Sequence, residues 1–198
     1  IPAVTRQKGI ELKKLVKEFK KLHTIKELEA DKSFIRLAPF MMLEMAASVR
    51  FGNCVIRNYV NEIVTEAEQQ FSAVEIVLED GTSYVSFRGT DDTIIGWKED
   101  FNLSTGVVPA QERAVEYMER ISDKASGMLR VGGHSKGGNL AIYGSVMCKS
   151  AHDKILEIYS NDGPGFSKEF QKSPETAEMM PKIIRIIPEY SIIGTLLE

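Results

Sequence analysis

The segment that most restricts the architecture is Gly133-His134-Ser135-Lys136-Gly137, set between an apolar run, Met128 to Val131, and a helix-compatible run, Asn139 to Met147. A short strand that enters a helix through so tight a turn belongs to an alternating strand–helix pattern, and that pattern argues for a largely parallel sheet with helices on both faces. A serine on such a turn sits in a strained backbone conformation with its hydroxyl exposed. Glycines are needed on either side because a Cβ there would strike the neighbouring strand or helix. The bare G-x-S-x-G pattern arises by chance in roughly one chain of this length in fifteen, so the flanking strand and helix carry the weight. Ser135 is the candidate nucleophile.

The rest of the chain fits the same class. Residues 8–31 carry Ile10, Leu12, Leu15, Val16, Phe19, Leu22, Ile25 and Leu28 among many Lys and Glu, which is helical spacing with a solvated polar face. Residues 38–50 predict a second, more apolar helix, with Met41, Met42 and Met45 as packing residues. Residues 51–70 carry no clear period. Beyond them, Ala73–Leu78 and Tyr84–Phe87 read as strands joined by a two-residue Asp80-Gly81 hairpin turn. Pro109 opens a helix to about Lys124. The expected order thereafter is strand 128–132, turn, helix 137–149, strand 154–160, helix 166–180, strand 182–187. One α/β domain spanning 1–198 is the economical reading, with 1–50 an N-terminal helical segment and 71–198 the sheet core.

Composition removes some function classes. A net charge of −3 gives no electrostatic reason to expect nucleic acid or an anionic membrane as partner. No apolar run approaches the ~20 residues that span a bilayer. Cys54 and Cys148 are too few for a disulfide framework and read as buried thiols in a reducing, cytoplasmic compartment. The chain opens Ile1-Pro2-Ala3 and closes on the apolar stretch 192–197, so it is expected to be incomplete at both ends. No cofactor is called for. Asp91-Asp92 and Glu99-Asp100 lack further ligands at metal-binding spacing and read as surface acidity. Trp97 reads as a packing or lid residue.

A serine hydroxyl needs a base to take its proton and donors to hold the oxyanion. In an open α/β sheet those groups gather at the carboxyl ends of the strands. There the sequence places Arg88-Gly89-Thr90, Ser135, Asn161-Asp162-Gly163-Pro164-Gly165 and Pro188-Glu189-Tyr190-Ser191. The oxyanion hole is expected from the Lys136 amide, at the start of a helix, and from Thr90. Asp162 is the candidate acid, with Glu189 the alternative; an Asn-Asp-Gly-Pro-Gly run is also a plain turn. The base is missing. His23 lies on the N-terminal helix, and His134 is expected to point under the turn. His152 precedes a strand and should lie far from Ser135. Either the histidine lies beyond Glu198, or the protein is a non-catalytic module that binds a ligand or partner.

These residues carry a resemblance. Phe87-Arg88-Gly89-Thr90, then Trp97 and Asp100, then Gly133 to Ala141, resemble the class 3 (triacylglycerol) lipases. FRGTDDTIIGWKEDF, VPAQ, GGHSKGGNLA, YSNDGPGF and IPEYSIIG resemble, more closely, a bacterial α/β-hydrolase-like family known mainly as a domain of unknown function. The resemblance covers roughly residues 35–195. It implies an α/β-hydrolase fold, Ser135 as nucleophile, and Thr90 and Lys136 at the oxyanion hole of an esterase acting on a small acyl substrate. In the lipases the acid follows a later strand, near Ser191 here; Asp162 instead resembles the acid placement of pancreatic-type lipases. Members of the closer family continue past the point where this chain stops, with a histidine-containing segment. Lys136 departs from the apolar residue usual after the lipase serine. It is expected to put a charge at the mouth, against long-chain triglyceride.

Overall fold

A computed structural model describes residues 1–33, 36–64, 69–90 and 107–195. Among these, seven strands form one sheet in chain order: β1 (Ile10–Glu11), β2 (Val55–Val64), β3 (Gln69–Val77), β4 (Ser83–Phe87), β5 (Leu129–His134), β6 (Ile155–Asn161) and β7 (Ile183–Ile186). Pairing is antiparallel from β1 to β4 and parallel from β4 to β7. Connection length accounts for the parallel half: β5, β6 and β7 are each reached by a helical crossover. The α/β class expected from the alternation is the class observed. The sheet also takes in residues 10–11 and 55–64, ahead of residue 71.

Alternation along the strands sorts the two faces. Val85, Phe87, Leu129, Val131 and Ile158 are buried on one face, while Tyr84, Arg130 and Tyr159 are only half-buried on the other. The first face is covered by α4 (Pro109–Lys124) and α5 (Lys136–Met147). From α4, Ala110, Ala114, Tyr117, Met118 and Ile121 enter the core at helical spacing. Nearly all of α5 is buried; its small residues let it lie close, and a Cβ on Gly144 would sit 3.1 Å from the Cβ of Ala114. On the opposite face, α1 (Leu12–Leu22) and α3 (Ala38–Ala47) bury Leu12, Leu15, Val16 and Ala46 against Ile10 and Ile56. Helices therefore lie on both faces. Among the described residues no helix is long and apolar enough to cross a membrane.

Several local expectations need correction. The helix expected over 8–31 is two helices, because Thr24 and Glu27 form a reciprocal capping box that starts α2 (Ile25–Ala30) afresh. The second helix ends at Ala47, three residues early. The hairpin loop has three residues, not two. Leu78 and Thr82 close it, and Gly81 at φ 81° takes the left-handed position that follows a three-residue turn. Residues 166–180 form two short helices, α6 (Lys168–Gln171) and α7 (Pro174–Met179). Serines cap both: Ser167 accepts from the Phe170 amide, Ser173 from that of Thr176. Finally, β2 fills part of the stretch that showed no period. Its register shifts between Arg57 and Val60 with Asn58 at φ 53°, so the alternation changes face within the strand and no single period survives.

Candidate active site

Ser135 links β5 to α5 at φ 55° and ψ −129°, a conformation non-glycine residues rarely hold. Such strain costs on the order of 1–3 kcal/mol and persists only where the surroundings impose it. Here they do. The Ser135 amide donates to the Asn161 carbonyl at 2.9 Å, and the Ser135 carbonyl accepts from the Gly138 amide at 2.8 Å. A Cβ on Gly133 would fall 2.4 Å from the Gly137 carbonyl carbon, and one on Gly137 would fall 2.3 Å from the Phe87 oxygen. Both glycines are thus required by backbone packed against backbone. The Ser135 side chain is half-exposed, and among the described residues its hydroxyl makes no hydrogen bond.

The loop after β4 runs across the turn. A Cβ on Gly89 would stand 3.5 Å from the Cβ of Ser135 and 2.7 Å from the His134 oxygen, which brings the half-buried Thr90 to the same place. Lys136 behaves differently from expectation. Its side chain is 1% exposed, and Nζ donates to the Gln70 carbonyl at 3.1 Å. A side chain in the first turn of a helix leans back toward the helix start, and here that direction leads under the turn to β3. The charge is not at the mouth, so it gives no argument against apolar substrates.

Parallel pairing aligns His134 with Asn161 and Asn161 with Ile186, which brings residues 135, 162 and 187 to neighbouring strand ends. Asp162 also lies at φ 55°. Its amide donates to the Ile186 carbonyl at 2.7 Å. Oδ1 accepts from the Ser191 hydroxyl and, at 3.1 Å, from the Gly194 amide. Among the described residues no hydrogen bond falls on Oδ2. Glu189, the alternative acid, is exposed and makes no hydrogen bond among the described residues.

Two buried residues beside the candidate site escaped the sequence reading. Asn139 is 1% exposed; Nδ2 donates to the Pro164 and Gly165 carbonyls at 3.2 and 3.0 Å, and Oδ1 accepts from Gln111 Nε2 at 2.8 Å. Gln111, also buried, accepts from the Val108 amide at 3.1 Å. This amide chain locks the serine's helix to the loop that carries Asp162. The only signal was that both sit inside blocks of the resemblance, VPAQ and GGHSKGGNLA.

No histidine of the chain stands ready as base. His152 lies before β6 with Nε2–H donating to the Val146 carbonyl at 2.9 Å and Nδ1 3.0 Å from Glu178, so both ring nitrogens are engaged. His23 packs on Phe19 just past the end of α1. His134 is exposed instead of tucked under the turn, because the alternation of β5 puts it on the face away from α5. Among the described residues no group of three His, Cys, Asp or Glu could hold a metal ion. Asp91, Asp92, Trp97, Glu99 and Asp100 lie outside the described residues. Both thiols are buried and unbridged, and burial pushes each thiol above the ordinary cysteine range. An apolar cavity of about 220 Å³ lies behind the Asp162 loop, lined by Ile142, Phe166, Phe170, Met180 and Ile183; neither Ser135 nor Thr90 lines it.

Comparison with known proteins gives a family and a fold. The family model described as Mbeg1-like matches residues 45–198. A fungal lipase–inhibitor complex, described as a model for interfacial activation in lipases, superposes with a TM-score of 0.54 at 17% identity over 73% of this chain. The chain spans 61% of that lipase's length. The native Rhizomucor miehei lipase propeptide complex gives 0.40 at 17% identity, over 56% of this chain and 42% of its own. No curated protein matches. The fold is that of the α/β-hydrolases, class 3 lipase-like, as the sequence blocks implied.

Proposed function

The chain belongs to the Mbeg1-like family, and from that premise we propose that it is a serine hydrolase cleaving an ester or thioester of a small acyl substrate. One observation carries the reading. A half-exposed serine is forced to φ 55° between a strand and the helix after it, beside a second strand end where an aspartate is forced to the same φ. Serine rarely holds such a φ/ψ pair, and strain of this kind clusters at active sites; aspartate tolerates a positive φ, so Asp162 adds its position and not a second strain.

In the mechanism, Ser135 Oγ attacks the acyl carbonyl carbon while an imidazole takes the hydroxyl proton. The carbonyl π pair moves to oxygen. That oxyanion is held by the amides of Lys136, at the start of α5, and of Thr90. The pair returns, the bond to the leaving oxygen or sulfur breaks, and the imidazolium proton goes to the leaving group. Water then releases the acid by the same steps in reverse order. Asp162 Oδ2 accepts from the imidazole and keeps its other nitrogen turned to Ser135. The histidine comes from outside residues 1–198, since both ring nitrogens of His152 are engaged, His23 packs on Phe19 past the end of α1, and His134 is exposed on the face of β5 away from α5. On this reading the whole of 1–198 works as one domain.

The test is covalent labelling of the full-length protein with a fluorophosphonate. Labelling that is lost in Ser135→Ala supports the hydrolase. A folded, full-length protein that takes no label favours the second reading, a ligand- or partner-binding module on the same fold, for which the engaged ring of His152 is the specific observation.

A further inference from the structure

Resting on the hydrolase reading, we infer that Ser191 is a positioning residue that holds the Asp162 carboxylate at the end of β7, together with the amide of Gly194. The resemblance to the lipases implies an acid near Ser191, after β7; in this chain the carboxylate belongs to the loop after β6. The two places are in contact. Asp162 Oδ1 accepts the Ser191 hydroxyl proton and the Gly194 N–H, so the carboxylate leaves β6 but is fastened at β7.

The fastening is built from several independent contacts. The Ser191 amide donates to the Pro188 carbonyl at 3.0 Å, which folds the chain after β7 back on itself and presents the hydroxyl. The Gly194 amide lies 3.0 Å from Ser191 Oγ as well as 3.1 Å from Asp162 Oδ1, so hydroxyl and amide converge on one oxygen. Residue 194 has no room for a side chain: a Cβ there would stand 2.6 Å from Oδ1 and 2.9 Å from Ile187 Cγ2. Arg185 Nη2 donates to the Gly194 carbonyl at 2.9 Å and approaches the Gly163 carbonyl at 3.4 Å, joining the loops that carry the two partners.

Geometry also states what the clamp is for. Two donors occupy Oδ1, and no hydrogen bond among the described residues falls on Oδ2, which is left as the oxygen for an incoming N–H. An aspartate at positive φ without the clamp would rotate about χ1 and χ2 and spend little time aimed at the base. Hydrogen bonds to a charged acceptor are the stronger ones, so losing the hydroxyl should misdirect the carboxylate without unfolding the loop, whose backbone contacts remain.

The experiment measures fluorophosphonate labelling rates and melting temperatures on full-length protein for five forms: wild type, Ser191→Ala, Ser191→Thr, Asp162→Asn, and Asp162→Asn with Ser191→Asp. The expected result is a roughly ten- to hundred-fold slower rate in Ser191→Ala and a near wild-type rate in Ser191→Thr. Asp162→Asn should lose about 10⁴-fold. The double variant, which returns a carboxylate to the same spot from the other strand, should recover at least ten-fold over Asp162→Asn. A structural role alone would move the melting temperatures but could not produce that recovery. A labelled wild type whose rate is indifferent to Ser191→Ala, or a double variant no faster than Asp162→Asn, overturns the clamp and leaves the hydrolase standing. A wild type that takes no label overturns the hydrolase reading, and the clamp's role with it.

Discussion

Two carboxylates on one sheet are treated in opposite ways. In the antiparallel half, Glu75 is 1% exposed on β3 and both of its oxygens are saturated. Arg57 supplies Nη2 to Oε1 at 2.7 Å and Nε to Oε2 at 2.9 Å. Ser83 Oγ reaches Oε1, and Asn58 Nδ2 reaches Oε2, each at 2.7 Å. Tyr117, a core residue of α4, fixes the strained Asn58 by donating to its carbonyl at 2.9 Å. In the parallel half, Asp162 keeps one oxygen tied and one open, on a strand end that is half-exposed. Saturation on all sides marks a carboxylate that holds the fold together. Partial saturation at an open strand end leaves Oδ2 available for the role proposed for Asp162.

The difference can be broken from either side, beginning with the largest effect. Ser135→Ala should lower hydrolysis or labelling by roughly 10⁴–10⁶-fold with the melting temperature nearly unchanged, which active-site titration beside a thermal scan would show. Glu75→Ala should do the reverse: a loss of about 1–3 kcal/mol in denaturant unfolding, because the buried Asn58 and Ser83 lose their acceptor and the half-buried Arg57 its partner, and little change in rate per folded molecule. Glu75 also sets an acid limb. Burial pushes its carboxyl up, but the hydrogen bonds from Arg57, Ser83 and Asn58 and the Arg57 charge outweigh burial and hold it below the usual range. A group lowered by folding stabilises in full above its unfolded value, about 4.3, and that contribution is lost as pH falls through the folded one. Unfolding free energies measured from pH 6 to 3 should fall less steeply in Glu75→Gln than in wild type.

Smaller effects sharpen the picture at the site. Asn139→Ala leaves the Gln111 amide and the Pro164 and Gly165 carbonyls short of a partner, which should cost about 1–3 kcal/mol. It should also slow labelling, since the serine's helix is no longer tied to the Asp162 loop; a stability loss with an unchanged labelling rate would make Asn139 structural only. Ser135→Gly is the smallest and has the opposite sign. Glycine holds φ 55° without strain, so the inactive variant should be more stable than wild type by on the order of 1 kcal/mol, a rise of roughly 2–4 °C in melting temperature.

Legibility followed the range of the interactions. The strand, turn and helix around Ser135 could be read because their causes lie within twenty residues: an apolar run, two glycines forced by close backbone, and a helix of small residues. The helix opened by Pro109 and the strands β3 to β6 could be read for the same reason. The long β2 could not, since the bulge at Asn58 exchanges its faces and is stabilised by Glu75, Tyr117 and Arg6 from elsewhere in the chain. Lys136 was misplaced because its acceptor, the Gln70 carbonyl, is 66 residues away on β3.

By itself, then, the order of residues determined the α/β class, the place of the tight turn and the set of polar residues at the strand ends, since strand alternation, helical period and glycine sterics are local. Tertiary structure alone decided which aspartate oxygen is tied and which is open, where the Lys136 charge goes, and that Gln111 bonds to Asn139 and Asn139 to the loop after β6, while Ser191 and Gly194 bond to Asp162. Those depend on the register of parallel strands, which brings together residues 25 to 66 positions apart, and no short window of sequence contains both partners.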